Sequence, residues 1–287
     1  MEDRLIEEFG CQRISADQKA RIERLSRRPL HRFLKRDIFV THRDLDRILD
    51  AVEAGEEFYI YTGRGPTSPT MHVGHLIPFQ FAQYLQEVFG AFVVIQITDD
   101  EKYLFRGLEM DEIRTNTIAN IRDIIACGFN MDRTFIFSNL AYFGEMYGSV
   151  LRIQRRITNN QSRAAFGIEG IDNIGKTAYV ATQAAPAFAS TFPFLKKGTM
   201  CLVPQGLDQD PYFRLTRDVA EKMNEPKPAL IHSGFIPSLK GMTDKMSSSD
   251  STSVIFLTDS PKVIREKIFR SVTGGRDTKE DQLKRGV

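Results

Sequence analysis

The chain has 287 residues, with 39 Lys+Arg against 37 Asp+Glu for a formal charge of +2, 41 % hydrophobic and 26 % charged residues. That balance suits a globular protein able to bury a core without disulfide or metal staples, and it excludes intrinsic disorder and collagen-like architecture. Apolar runs such as Phe92 to Ile95 fall far short of the roughly 20 residues a membrane helix needs. The opening Met-Glu-Asp-Arg lacks the apolar stretch of a secretory signal. Three widely spaced cysteines (Cys11, Cys127 and Cys201) fit a reducing compartment, so a cytoplasmic protein with no membrane partner is expected. A net charge this small does not by itself imply nucleic acid.

Taken in chain order, the first 50 residues are basic and mostly helical in pattern. One helix is expected from Arg43, after a Thr41 cap, to about Ala54, with Leu45, Ile48, Leu49 and Val52 on one face. Phe58 to Tyr61 reads as a short strand entering the turn Thr62-Gly63-Arg64-Gly65-Pro66. A helix follows from about His72 to Phe89, then a buried strand from Ala91 to Thr98. Asp111 to Cys127 is helical and Gly128 ends it; Thr134 to Phe137 is a third strand. Helices are expected near 147–157 and 176–189, a strand at Cys201 to Pro204, a helix from Asp210 to Met223 and a strand from Ala229 to His232. Strands alternating with helices give an α/β fold, a doubly wound parallel sheet covered on both faces, with a mostly helical N-terminal extension. Ligands of such sheets bind beyond the carboxyl ends of the strands, at a topological switch point.

Two segments carry chemistry. Tyr61-Thr62-Gly63-Arg64-Gly65-Pro66-Thr67 followed by Met71-His72-Val73-Gly74-His75 is a strand, a glycine turn and a helix start. Glycines admit a ligand close to the backbone, and a helix start offers unpaired N–H groups to phosphate. His72 and His75, at i and i+3, share a helix face. Spacing gives them no third metal ligand, so no protein-held metal is expected. The second segment is Lys245-Met246-Ser247-Ser248-Ser249, in a Thr/Asp/Ser-rich stretch between Gly241 and Val254 whose simplest reading is a solvated loop.

Together, a HxGH segment early and a KMSxS segment late resemble the paired motifs of class I aminoacyl-tRNA synthetases. The likeness extends through TGRGP…MHVGHL, VIQITDDEKYL, DIIACGF, TQAAPAF, DQDPYFRLTRDVA, KPALIHS, KMSSSD, IFLTD and GGRDT, in that order. These strings are similar to the eukaryotic and archaeal form of tryptophanyl-tRNA synthetases. Two features depart from that pattern. Ser248 stands where the widespread KMSKS form has its second lysine. The family's chain also continues past GGRDT into a helical domain that reads the anticodon, whereas this sequence closes at Val287. The organisation expected is an extension (1–55), a Rossmann-like catalytic domain (56–260) and the start of a linker (261–287).

The resemblance implies a two-step reaction: tryptophan and ATP give the adenylate and pyrophosphate, and the aminoacyl group passes to tRNA(Trp). It implies ATP with Mg2+ as the substrate complex and a homodimer. It places His72, Gly74 and His75 against ATP, Lys245 on the phosphates with Met246, Ser247 and Ser249 around it, and Arg64, Gly65 and Thr67 at the first turn. Gly206 and Asp208 match a nucleotide contact. His72, His75 and Lys245 would be the catalytic groups. Indole N–H is a donor only, so its pocket needs acceptors between apolar walls. Tyr61 and Gln96 match the family's indole N–H contacts, Glu101, Gln183 and Gln209 its α-ammonium site, and Gly63 is a further tryptophan-binding position. Independently of the family, Gln96 lies in an apolar run where an unpaired amide would cost about 1–3 kcal/mol, so it requires a partner. Asp99-Asp100-Glu101 could also be a turn with solvated carboxylates. A pocket that hydrogen-bonds a large side chain discriminates without editing, and no inserted editing domain is evident. Three rival readings remain. A tyrosyl-tRNA synthetase would usually meet its substrate hydroxyl with a carboxylate. A synthetase-derived binding fragment would not need His72, His75 and Lys245 together. A small nucleotidyltransferase would lack the late lysine loop.

Overall fold

β-branched and aromatic runs form the strands, and four of the five parallel ones, at 58–64, 92–97, 200–206 and 229–233, are buried on both faces as a covered sheet requires. The computed structural model describes residues 10–234, 236–246 and 250–272. They fall into two units, one of residues 10–69 and 76–234, the other of residues 70–75, 236–246 and 250–272.

The first unit is built on a seven-stranded sheet of β1 (Gln12–Arg13), β2 (Phe39–Arg43), β3 (Phe58–Arg64), β4 (Phe92–Ile97), β5 (Thr134–Ser138), β6 (Met200–Gly206) and β7 (Ala229–Ser233), in the order β1-β2-β7-β6-β3-β4-β5. Strands β3 to β7 are mutually parallel; β1 and β2 are antiparallel and close one edge. The chain leaves β3 toward β4 and β5 and returns on its other side through β6 and β7. The switch point therefore lies between β3 and β6.

The helices are α1 (Ala16–Ser26), α2 (Arg32–Lys35), α3 (Leu45–Glu53), α4 (Val73–Phe89), α5 (Asp99–Arg106), α6 (Met110–Ile125), α7 (Asn139–Gln154), α8 (Asn159–Phe166), α9 (Ile174–Ala184), α10 (Asp210–Met223) and, in the second unit, α11 (Pro261–Phe269). One sheet face presents Tyr59, Tyr61, Val94, Cys201, Val203 and Leu230 to α7, α9 and α10, through Met146, Val150, Ala181, Ala184, Phe213 and Val219. Each such large side chain contributes about 1.5–3 kcal/mol by leaving water. An aromatic group of Phe135, Phe137, Tyr142, Phe192 and Phe194 fills the β5 end, with ring centroids 5.1–6.2 Å apart.

The N-terminal region is mostly helical, as expected, but its third helix is capped differently. Thr41 is buried inside β2, paired with His232 of β7, and α3 begins at Leu45. Its N-cap is Asp44, in the left-handed conformation (φ 56°), where its carboxylate takes the Arg217 guanidinium at 2.8 Å. Pairing with the sheet edge outweighs the capping preference of an isolated threonine. The extension thus contributes two strands to the sheet. The helix expected near 176–189 ends at Ala184 and gives way to 3-10 turns at Ala185–Ala187 and Ala189–Thr191, because Pro186 has no N–H to continue it. Helix α8 follows a Thr158–Gln161 capping box that the sequence reading passed over.

In the second unit, β8 (Pro237–Ser238) and β9 (Gly241–Lys245) pair antiparallel. His72 bridges Phe256, flanked by Val73 N–H to Ile255 O at 3.0 Å and Leu257 N–H to Met71 O at 2.9 Å. The stretch expected to be loop from Gly241 is strand as far as Lys245, where tertiary pairing overrides a polar composition.

Candidate functional site

Tyr61 and Gln96 stand on adjacent strands, two positions apart in a register that pairs Tyr61 with Val94 and Gly63 with Gln96. The Tyr61 hydroxyl donates to Gln96 Oε1 at 2.6 Å, and the Gln183 carbonyl is a second acceptor at 2.9 Å. One proton serves both, so the hydroxyl lone pairs remain as acceptors. Gln96 is fully buried and its Nε2 donates to Asn139 Oδ1 at 2.8 Å and to the Thr182 carbonyl at 3.1 Å. The partner that an amide in this apolar run requires is therefore supplied within the protein. Asn139 Nδ2 donates to Asp100 Oδ1 at 2.7 Å. A carboxylate can only accept, so each amide in the line Asp100–Asn139–Gln96 has its orientation set, and Gln96 turns its oxygen toward Tyr61. Phe213 adds an aromatic wall, its ring 5.9 Å from that of Tyr61. Of Gln183, only the backbone carbonyl joins this network.

Asp99, Asp100 and Glu101 form the first turn of α5 rather than a solvated turn. Asp99 accepts from the Ser138 hydroxyl and from Leu140 N–H at 3.1 Å, capping α7. Burial raises the Asp100 carboxyl to about 6 against its ordinary 3.8; the Asn139 hydrogen bond opposes the rise and the Asp99 charge adds to it. Glu101 is paired with Lys102, and a side chain at Gly65 would collide with the Lys102 chain. The glycine therefore admits a lysine against the first turn. Nothing in the sequence reading singled out Lys102; the acidic run before it was the available sign.

Arg64 ends β3 and is buried. Its Nε donates to Asn120 Oδ1 at 2.8 Å, while Nη2 has no partner among the described residues. Burial lowers its pKa to about 10, with Asp123 and Glu101 opposing from a distance. A buried cation with an unused donor calls for an anion. Thr67 is exposed and its N–H closes a turn onto Gly65 O at 2.8 Å.

On the other side of the switch point, β6 ends at Gly206 and a 3-10 turn Leu207–Gln209 leads into α10. A Cβ on Gly206 would lie 2.7 Å from Asp208 Oδ1, so the glycine lets that carboxylate fold back over the strand end. Gln209 is the N-cap residue of α10. Asp210, fully buried, takes Arg43 through both oxygens (2.7 and 2.8 Å) and has His232 Nε2 at 3.1 Å. Burial raises its carboxyl, but the hydrogen bonds from Arg43 and His232 outweigh that and hold it well below the ordinary range. Cys11, Asp210 and His232 form the one metal-like cluster among the described residues. Burial and the Asp210 charge push the Cys11 thiol up to about 11, and Arg43 already occupies both Asp210 oxygens, so the donor set suits an ion pair rather than a metal.

In the second unit the His72 and His75 rings stack with centroids 3.5 Å apart, as their spacing suggested, and His75 Nδ1 accepts from His72 N–H at 3.4 Å. A Cβ on Gly74 would lie 3.0 Å from His72 Cε1, which ties this glycine to the stacked pair. Lys245 closes β9 opposite Pro237, and Met246 N–H donates to Ile236 O at 3.3 Å. Ser247 and Ser249 lie outside the described residues.

A mostly parallel sheet flanked by helices, with a glycine turn and a buried arginine at the end of its central strand, has the Rossmann-like architecture of class I synthetases. The family described as tRNA synthetases class I (W and Y) matches residues 53–286, and the chain belongs to it. It is 48 % identical over 99 % of its length to the cytoplasmic tryptophan–tRNA ligase of Mus musculus and covers 60 % of that protein, so the chain spans about three-fifths of the length of such curated relatives. The tryptophanyl-tRNA synthetase of Plasmodium falciparum superposes with a TM-score of 0.90 at 49 % identity, over 98 % of this chain and 74 % of that one. That of Encephalitozoon cuniculi, solved bound to tryptophan, gives 0.92 at 42 % identity over 96 % and 77 %.

Proposed function

We propose that the chain carries the amino-acid-activating part of a tryptophan–tRNA ligase. The observation that supports this best is the pairing of Tyr61 and Gln96, which offers oxygen acceptors beside a glycine floor and so suits a donor-only indole N–H. In this reading the tryptophan carboxylate attacks the α-phosphorus of ATP, with Mg2+ bound as part of that substrate, and pyrophosphate leaves. A terminal ribose hydroxyl of tRNA(Trp) then attacks the carbonyl carbon and AMP leaves. Neither step needs a protein nucleophile, so the protein contributes position and charge.

Arg64 supplies a cation to the phosphates, Lys102 a second, and Gly65 and Thr67 the turn that brings them close. Gly206 and Asp208 hold the ribose. Glu101, Gln183 and Gln209 surround the α-ammonium. His72, Gly74 and His75 bind ATP, and Lys245, with Met246, Ser247 and Ser249, stabilises the leaving pyrophosphate. Residues 1–55 act as an extension to a catalytic domain at 56–260, and 261–287 lead toward an anticodon-reading domain. A cytoplasmic homodimer completes the proposal; an exposed apolar stripe on α7 supports the dimer. Among the described residues no helix is long and apolar enough to cross a membrane.

The test is ATP–pyrophosphate exchange with tryptophan, tyrosine and phenylalanine offered separately. Exchange with tryptophan alone is expected. Exchange with tyrosine would overturn the pocket assignment, and none with folded protein would overturn the activity.

A further inference from the structure

Strands β3 and β6 pair from Phe58 with Met200 to Ile60 with Leu202, where the ladder between them ends. Pro204 has no N–H to extend it. Their carboxyl ends, Gly63-Arg64 and Gln205-Gly206, flank the switch point. Cys201 and Val203 share the sheet face of Tyr59 and Tyr61, so by the strand period Gln205 points to that face too. Gly63 is exposed although Tyr61 before it and Arg64 after it are buried, which marks an opening over the glycine. Gln96 borders Gly63 on one side and the β6 end lies on the other.

Among the described residues four glutamines are buried: Gln18, Gln86, Gln96 and Gln205. The first three use their amides fully, Gln18 with Ser15, His42 and Asp46, Gln86 with Asn130, Arg133 and Thr134, and Gln96 as described above. Gln205 is 6 % exposed, and neither its Nε2 nor its Oε1 has a partner among the described residues. An unpaired buried amide destabilises the protein that carries it, and its presence at a ligand crevice indicates that the ligand supplies the missing bonds.

We propose that Gln205 is a substrate-binding residue that takes the main-chain end of the amino acid, Nε2 donating to the carboxylate and Oε1 accepting from the ammonium. The inference rests on the tryptophan-activating reading. In that reading Tyr61 and Gln96 serve the ring N–H from the β3 and β4 side. What remains of the ligand's polar surface is a zwitterionic head; Glu101, Gln183 and Gln209 approach its ammonium, and no residue in that reading donates to its carboxylate. An amide with both of its ends unused is the neutral side chain that complements both.

The experiment compares wild type with Gln205→Leu, close in volume and without polar atoms, in tryptophan-dependent pyrophosphate exchange. The variant is expected to raise the KM for tryptophan about tenfold or more while the KM for ATP stays within about twofold. Its melting temperature should equal or exceed that of wild type, because it removes an unpaired amide. Inhibition by 3-methylindole, which keeps the ring and lacks the head, should be unchanged. An unchanged tryptophan KM, or 3-methylindole weakened as much as tryptophan, overturns the proposal. If Gln205→Leu does not fold, Gln205→Glu decides. Its carboxylate repels the substrate carboxylate, so tryptamine should lose less than tryptophan, and equal losses overturn the idea. A wild-type chain that activates no tryptophan overturns the activity reading itself, before any variant is made.

Discussion

The Tyr61 hydroxyl lies 2.6 Å from Gln96 Oε1 across two parallel strands, and the direction of that bond is set by Asn139, 43 residues beyond Gln96, which donates to Asp100. The carboxylate admits only donors, Asn139 therefore turns its oxygen to Gln96, and Gln96 turns its own to Tyr61. A buried chain of this kind is fully satisfied and so rigidifies the wall it forms. A mobile amide would present donor and acceptor alternately to an indole.

Tyr61→Phe removes one acceptor and leaves the ring in place. The KM for tryptophan should rise about 5- to 20-fold, the worth of one buried hydrogen bond, with kcat little changed. The sulfur analogue of tryptophan that replaces the ring N–H should be affected less than about twofold. Pyrophosphate exchange with both amino acids measures the ratio; equal losses would assign Tyr61 a packing role only.

Arg64→Leu tests whether the buried guanidinium exists for an anion. Its Nη2 has no partner among the described residues and burial disfavours its charge, so the free protein gains little from it. The variant sheds a desolvated charge but also the Nε bond to Asn120, so it should melt close to the wild-type temperature yet lose adenylate formation by about 100-fold or more. Adding ATP should raise the melting temperature of wild type and not of the variant. A large drop in stability would make Arg64 a structural residue.

Much of this was legible in the sequence, and the failures share a cause. Apolar β-branched runs located β3 to β7, and the glycine turns at Gly63–Gly65 and Gly206 fell at strand ends, where a doubly wound sheet puts its ligands. Gln96 stood out because an amide within Phe92–Ile97 must find partners. Thr41 misled because a cap preference is local, whereas its pairing with His232 comes from a strand nearly 200 residues away. Lys102 and Gln205 passed unnoticed for a similar reason. A lysine after three acids and a glutamine after a proline look ordinary until folding packs one against Gly65 and leaves the other buried without a partner among the described residues.

Asp100 gives the site a pH signature. Its folded carboxyl is raised to about 6 from 3.8, chiefly by burial, so the folded state holds a proton that the unfolded chain has released. Stability therefore falls as pH rises from about 4 to 6, and the full penalty of the buried charge is present above that window. Asp100→Asn keeps an oxygen for Asn139 and carries no charge. Its melting temperature should exceed that of wild type at pH 8, and the gap should close as pH is lowered through 6 toward 4. A gap independent of pH would show that the carboxyl titrates in its ordinary range.

The apolar stripe on α7 makes a prediction about assembly. Leu140, Phe143, Tyr147 and Leu151 are each 37–46 % exposed, and their spacing of three, four and four residues places them on one helical face. Helix α6 adds Ile118 and Ile125, seven residues apart and also exposed. Single exposed apolar residues are ordinary, but a four-residue stripe that includes two aromatic rings is the composition of a buried interface core. In the proposed homodimer these residues would be covered by a second copy of the chain. Phe143→Glu combined with Tyr147→Glu places two charges in that face without touching any residue of Tyr61, Gln96 or Arg64's networks. Light scattering should then report the mass of one chain where wild type reports two, with the circular dichroism spectrum unchanged. A wild-type mass of one chain, or a variant that still reports two, would give the stripe another purpose.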